Sequence, residues 1–517
     1  MKKKNKVYIC IILFWVALLL ASIPDLTRDI WPMYSSGHYL ISYLLTIDVF
    51  FISYFWLNGM KDIVYVAYFH AFKNKWLEEE KKILSASYPM RKNPVIALVY
   101  TTKDDFDAAS LDLCSKQTYR GCRVYILDDS KESEYIQEID NYSRKKKNVT
   151  VVRRGESKGF KAGNLNSFLN AHIELFDYFV VLDSDEIIHS NFVEDALKYF
   201  YSNENLGILQ ANHVATRNKN KFMEIFHVGV NCHWPTYQKV KEKYGFLSFL
   251  GHGAMISAEC YKKVGGFPEL VAEDLCFSIL ARKMGFDIEF SRLITCEEEF
   301  PIDYRAFKIR HHKWTLGNFE LLRKFTKEIF WNKNLRWFEK LDVFLFTYNL
   351  PLTFVFFIFL VINILWLPLL GHPAQYPLWL MIPTIIFLFS PMFNDIVIMF
   401  KTYKILGTLQ YCSRMFLLYG SLYWISFYAA TCSVLGQKAY FYVTPKEVRK
   451  TNLLQKIRNN WQEILFGSLL MIITVLVNQS FLPSILIVVP SLSGITLERL
   501  SEKDYSDKAS SNPSTTT

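Results

Sequence analysis

At 517 residues the chain exceeds one ordinary domain. With 51% hydrophobic and 21% charged residues it is too apolar for a wholly soluble enzyme and too charged for one that is all membrane. A formal charge of +10 would suit nucleic acid, but the basic residues flank the apolar runs, as cytoplasmic segments facing anionic lipid do, so a membrane and no nucleic acid is the expected partner.

Lys2, Lys3, Lys4 and Lys6 precede an uncharged run at 7–23, and a second apolar run follows at 39–57. Each is near the roughly 20 residues that a span needs. No small-x-small cleavage site accompanies the first, which weighs against a signal peptide. Residues 1–60 are therefore expected as two transmembrane helices, with Asp48 turned toward protein or a polar cavity. Residues 61–93 are charged and amphipathic, as a helix on a membrane surface is.

From Pro94, short β-rich runs at 95–100, 123–127, 149–152 and 178–182 alternate with helical patterns. That alternation predicts βαβ units around a mostly parallel sheet, an α/β domain over 94–300. Residues 301–341 read as amphipathic interface helices, and uncharged runs at 343–370 and 376–394 predict two spans within 342–400. If the run at 415–436 also spanned, Lys438, Lys446, Arg449, Lys450, Lys456 and Arg458 would lie outside, so 401–436 is expected as an interface or re-entrant helix. Residues 437–460 then form a cytoplasmic loop and linker. The run at 464–497 is too long for one span, and Asn478-Gln479-Ser480 with Pro483 predicts a hairpin over 461–498 before a disordered tail at 499–517. The expectation is about six spans, with both termini and the α/β domain cytoplasmic. Nine scattered cysteines, none in a CxxC pair, argue against a disulfide framework or a zinc site and for reducing surroundings.

Ligands of open α/β sheets bind at the carboxyl ends of strands. Two strands run into carboxylates here: 123–127 into Asp128-Asp129 and 178–182 into Asp183-Ser184-Asp185. An Asp-x-Asp pair after a strand can hold a divalent cation whose other positions go to phosphate and water. Between them, Lys158-Gly159-Phe160-Lys161-Ala162-Gly163 opens a helical pattern, which suits an anion or is merely a basic loop. Glu273-Asp274 at a further helix start reads by itself first as simple capping and only second as catalytic.

Together these segments resemble the family-two membrane glycosyltransferases, which include the cellulose, chitin and hyaluronan synthases. The resemblance covers roughly 95–446, with the motifs in the family's order. It implies a GT-A (Rossmann-like) catalytic domain set in a helical membrane domain. Leu127-Asp128-Asp129 resembles the nucleotide-contacting motif. Lys161-Ala162-Gly163-Asn164-Leu165-Asn166 matches KAGNLN and implies substrate contacts at Lys161 and Asn164. Asp183-Ser184-Asp185 resembles the metal-binding DxD and implies Mg2+ or Mn2+ on Asp185 and Asp183. Ala272-Glu273-Asp274 sits where the family has Thr-Glu-Asp, implying a catalytic pair with Asp274 as general base. Arg310, Lys313 and Trp314 fall in the place of Gln-x-x-Arg-Trp, at the diphosphate and acceptor sugar. Phe441, Val443, Thr444 and Lys446 match FxVTxK, the gating loop of cellulose-synthase-like enzymes.

The departures, Ala272 for Thr, Arg310 for Gln, Lys313 for Arg and Ser248-Phe249-Leu250-Gly251-His252 for FFCGS, leave cellulose itself open against another β-glucan. The resemblance implies a bacterial plasma-membrane enzyme that extends a polysaccharide from a UDP-sugar donor, UDP-glucose on the strength of FxVTxK, as in capsule synthesis. A UDP-GlcNAc-using synthase and a non-processive transferase with a lipid acceptor stay open.

Overall fold

The computed structural model describes residues 5–88, 93–215, 220–347, 352–402, 404–439 and 450–502. Its centre is an eight-stranded sheet: β1 (Ile96–Thr102), β2 (Cys122–Asp128), β3 (Val149–Arg153), β4 (Tyr178–Leu182), β5 (Ile187–Ile188), β6 (Leu206–Ala215), β7 (Ala254–Ser257) and β8 (Asp287–Glu298). The spatial order is β3-β2-β1-β4-β7-β6-β8-β5.

The first four strands are parallel, with β1 between β2 and β4. Ile96, Leu98 and Tyr100 face one apolar core, while Ala97 and Val99 face the other. Strands buried on both faces read as continuous apolar runs, which is why β1 and β4 stand out in the sequence, while the edge strand β3 is only partly buried. Beyond β4 the mostly parallel sheet becomes mixed. Strand β7 is antiparallel to both β4 and β6, β8 runs parallel to β6, and β5 closes the edge antiparallel to β8.

The boundary expected near residue 60 is absent from the secondary structure. One 47-residue helix, Tyr39–Ser85, runs through the apolar run and the amphipathic stretch together. It contains no proline, and its Gly59 lies against Phe387, where a side chain would collide. Nor does 61–85 lie free on a surface, since Lys61, Asp62 and Glu80 are buried in protein. Glu80 accepts the backbone N–H of Arg292 at 2.8 Å and pairs with Lys239 of the helix Lys221–Tyr244 at 2.8 Å. Asp48 is fully buried and bonded to Asn363 and to Tyr376 Oη, so it faces protein as its charge demands.

Among the described residues five helices are long and apolar enough to cross a membrane: Lys6–Leu26, Tyr39–Ser85, Ile405–Val434, Trp461–Asn478 and Leu482–Ser501. A sixth arises if Leu378–Leu388 and Ser390–Lys401, bent by 45°, count as one. Membership thus differs from the expectation. Ile405–Val434, read from its charged flank as re-entrant, is 30 residues long and qualifies. Phe354–Leu369, from the run at 343–370, is shorter and carries a π-helical stretch at Ile362–Trp366. Gln479 takes a left-handed φ of 53° between the last two candidate spans. The expected disordered tail begins instead as helix, Gly494–Ser501, and everything beyond 502 lies outside the described residues.

Candidate active site

The acidic strand ends and the basic segments between them meet at the carboxyl edge of β2, β1 and β4. Asp129 is held by Arg154 in a two-pronged pair, Nε to Oδ1 at 2.8 Å and Nη2 to Oδ2 at 2.5 Å. The same guanidinium donates to the carbonyls of Lys158 and Phe160. This explains two glycines. Gly159 caps the helix Phe160–His172 at φ 74°, and Gly163 has no room for a side chain because Lys158 O and Arg154 occupy the space. Arg154 thus ties the end of β2 to the helix start that presents Lys161.

Lys161 Nζ donates to Asp183 and to Gly251 O, the latter at 2.9 Å. Burial disfavours its ammonium, but Asp183 and Glu273 outweigh that and its pKa is raised. Asp183 also accepts from Thr101 Oγ1 at 3.2 Å. Between the two aspartates, Ser184 is pinned away from the edge, its hydroxyl donating to Asp105 at 2.6 Å and its carbonyl accepting from Tyr100 at 2.7 Å. Asp183 and Asp185 are thereby left half-buried at one strand end. Two carboxylates there fit a hard divalent cation that keeps several waters, with Lys161 as the competing positive charge.

Glu273 and Asp274 open the helix Glu273–Lys283. Burial pushes both carboxyls above the usual range. Asp274 raises Glu273 further, while Lys161 pulls each back. Asp274 Oδ1 accepts the N–H of Leu275 at 2.7 Å, and its Oδ2 lies beside Gly251. Lys313 lies within electrostatic reach of Glu273 and Asp183, and burial lowers its pKa. Three segments, around residues 161, 183 and 273–274, therefore converge about one ammonium.

Several expected contacts fall elsewhere. Asn164 does not face this edge: its amide is buried and donates to Leu127 O at 3.2 Å, fastening the helix to β2. The Asp128 side chain is buried outright, accepting from Arg153 Nε at 2.6 Å and Ser130 N at 2.8 Å, because it points back into the β2–β3 layer. Arg310 lies over Trp314 at 4.5 Å and Phe226 at 5.0 Å, and burial brings its pKa down to about 10. Trp314 itself is 43% exposed. Phe441, Val443, Thr444 and Lys446 lie outside the described residues. Sequence reasoning missed Arg153 and Arg154, although Arg153 ends β3 and Arg154 follows it, the same kind of position that marked Asp128 and Asp129.

This mixed sheet with acidic strand ends is a GT-A-like glycosyltransferase domain. Residues 178–394 match the family model described as "Glycosyl transferase family group 2". The chain is 26% identical over 227 residues to probable glucomannan 4-beta-mannosyltransferase 10 of Arabidopsis thaliana, covering 42% of this chain and 41% of that protein. It is 23% identical over 374 residues to probable glucomannan 4-beta-mannosyltransferase 1 of the same plant, covering 68% and 66%. Residues 178–394 therefore carry a domain of the family-group-2 glycosyltransferase type, and the chain around it is similar to the glucomannan mannosyltransferases. The matched stretches span about two-fifths to two-thirds of those relatives' lengths. A mannosyltransferase from Pyrobaculum calidifontis, solved in complex with GDP-Man and Mn2+, aligns at a TM-score of 0.45 and 15% identity, over 74% of this chain and 100% of that one.

Proposed function

We propose that the protein is an inverting, membrane-embedded hexosyltransferase that polymerises a nucleotide-activated hexose, UDP-glucose in the first reading, into a β-linked polysaccharide and passes it out between its own helices. The carrying observation is the convergence of Asp183, Glu273 and Lys161 beside Asp274.

Asp274 takes the proton from an acceptor hydroxyl, whose oxygen attacks the anomeric carbon as the bond from that carbon to the diphosphate breaks. One displacement inverts an α-linked donor to a β product. Base catalysis of this kind contributes typically 10²–10⁴-fold. Lys161 and Lys313 meet the charge that develops on the leaving diphosphate. Mg2+ or Mn2+, when held by Asp185 and Asp183, would supply further neutralisation of that charge. Asp129, oriented by Arg154, faces the nucleoside at the end of β2. The exposed part of Trp314 stacks on the acceptor sugar, and Arg310 positions that ring from behind. The catalytic domain lies on the cytoplasmic side of the membrane, where nucleotide sugars are made.

The relatives' names favour a second donor reading, a mannosyl nucleotide. Purified protein with labelled UDP-glucose, UDP-GlcNAc or GDP-mannose and Mg2+ or Mn2+, followed by linkage analysis, separates these donors. Product length separates a polymerase from a single-step transferase. Asp274→Asn should abolish transfer while donor binding persists; normal turnover in that variant removes Asp274 from the role of base. Release of no nucleoside diphosphate with any of the three donors overturns the enzymatic reading.

A further inference from the structure

Directly behind the strand end that carries Asp183, four further side chains meet inside the domain. Glu186 comes from the turn after β4, His213 from β6, His252 from the loop before β7 and Cys296 from β8. One possible ligand atom from each lies within 4.8 Å of all the others. Glu186 and Cys296 are fully buried and His213 nearly so.

Independent observations identify the atoms that face inward. Glu186 Oε1 and His252 Nδ1 are buried and make no hydrogen bond among the described residues, His252 Nδ1 lying 3.5 Å from the other oxygen of Glu186. A methyl group built on Gly253 would fall on Cys296 Sγ, Glu186 Oε1 and His213 Nε2, so these three atoms border one small space. The outward nitrogens of both imidazoles share one carboxylate: Glu298 lies 3.0 Å from His252 Nε2 and 3.5 Å from His213 Nδ1. Such a carboxylate is the usual outer partner of metal-bound histidines, fixing which nitrogen keeps its proton and which turns to the metal. The two rings stack, with centroids 4.5 Å apart. Gln210 Nε2 donates to His213 Nε2 at 2.9 Å, but the same amide nitrogen also reaches the carbonyls of His252 and Gly253, which would satisfy it once His213 turned to a metal.

We propose that Glu186, His213, His252 and Cys296 form a second metal site, separate from the Asp183–Asp185 pair, and that it takes a single Zn2+. The donor set decides the metal. Two imidazoles, one thiolate and one carboxylate make a four-coordinate, borderline-soft environment that suits zinc, whereas Mg2+ and Mn2+ favour oxygen donors. Binding sends the Cys296 proton to solvent and leaves the thiolate on the metal. With zinc–nitrogen bonds of about 2.0 Å and a zinc–sulfur bond of about 2.3 Å, the ligands draw together by roughly 1 Å. The ion joins the β4–β5 turn, β6, the approach to β7, and β8. It does so immediately below the acidic edge, since His252 Nε2 is 3.9 Å from Asp183 Oδ2. Its role is to fix the frame on which Asp183 and Asp185 stand. The ligands are spread over 186–296, so no CxxC-type spacing announces them.

The test uses the full-length protein in detergent, purified without chelator from zinc-supplemented cells, with bound metals quantified by mass spectrometry. Wild type should carry a single zinc per chain. Cys296→Ser and His213→Asn should each lose it, and Asp185→Asn should keep it. Cobalt exchanged into wild type should give a thiolate-to-cobalt charge-transfer band, a readout that stands even where a ligand variant fails to fold. Wild type free of zinc, a cobalt complex with no thiolate band, or zinc that leaves with Asp185→Asn and stays in Cys296→Ser would each overturn the proposal.

Discussion

Arg154→Ala probes the joint that holds the end of β2 to the helix Phe160–His172. The Arg154 and Asp129 side chains are only 9% and 8% exposed, so their pair is largely removed from water. Truncating the arginine strands the Asp129 carboxylate and leaves two carbonyls, of Lys158 and Phe160, without that donor. Breaking a buried pair from one side costs about 3–5 kcal/mol. In a domain of about 200 residues each kcal/mol moves the melting temperature by roughly 2–4 °C, so a fall of about 6–20 °C is expected. The double variant Asp129→Asn/Arg154→Ala should recover part of that loss, because no bare charge remains, giving a coupling of about 0.5–3 kcal/mol. Arg154→Lys should lie between, since an ammonium cannot make the fork. Thermal unfolding of the detergent-purified series, followed by tryptophan fluorescence at one scan rate, provides the comparison. Strict additivity of the two single changes, or an unmoved transition in Arg154→Ala, would refute the reasoning.

Other outcomes follow from the same geometry. Asn164→Ala should lower stability by about 1–3 kcal/mol through loss of its bond to the Leu127 carbonyl while leaving the donor KM unchanged, because the amide is buried against β2. Gly163→Ala should cost about 1–3 kcal/mol and lower kcat by shifting the helix start that presents Lys161; melting curves and initial rates read the two effects. The raised carboxyls of Glu273 and Asp274 should place the acid limb of the kcat/KM profile above the ordinary carboxylate range, and Glu273→Gln should move that limb downward. The same shifts act on stability with a definite sign. The folded state binds more protons than the unfolded chain between the ordinary carboxylate pKa and the pair's raised values. Stability therefore falls as pH rises through that window, and pH-dependent melting of Glu273→Gln should show a shallower fall.

Strands β1, β2 and β4 were legible because each ends in, or is, a buried apolar run, and the edge strand β3 because its Val-rich run is short and bounded by charge, with Asp128, Arg153 and Asp183 marking the ends of β2, β3 and β4. Strands β6 and β8 were not, because they carry Gln210, Asn212, His213, Glu289 and Ser291. Those polar side chains are accommodated by partners far along the chain: Gln210 by the loop at 250–253, Ser291 by Tyr199 and Glu80. Position after a strand pointed to Asp129, Asp183 and Asp185 at the edge. It could not reveal that Asp128 turns inward, which depends on Arg153 of the neighbouring strand. Asn164 shows the limit of a motif, since its place in KAGNLN is explained by the end of β2. The helix Tyr39–Ser85 was divided on composition, yet a backbone without proline has no physical cause to stop where its surface changes from apolar to charged.

That helix works as a lever. At about 1.5 Å per residue its 47 residues reach roughly 70 Å, and the stretch from Asp48 among the apolar helices to Glu80 against β8 covers about 48 Å of that. A rod of that stiffness cannot lean at one end and stay still at the other. One continuous helix thus joins the apolar helices, through the Glu80 joint, to the strand from which Cys296 and Glu298 project.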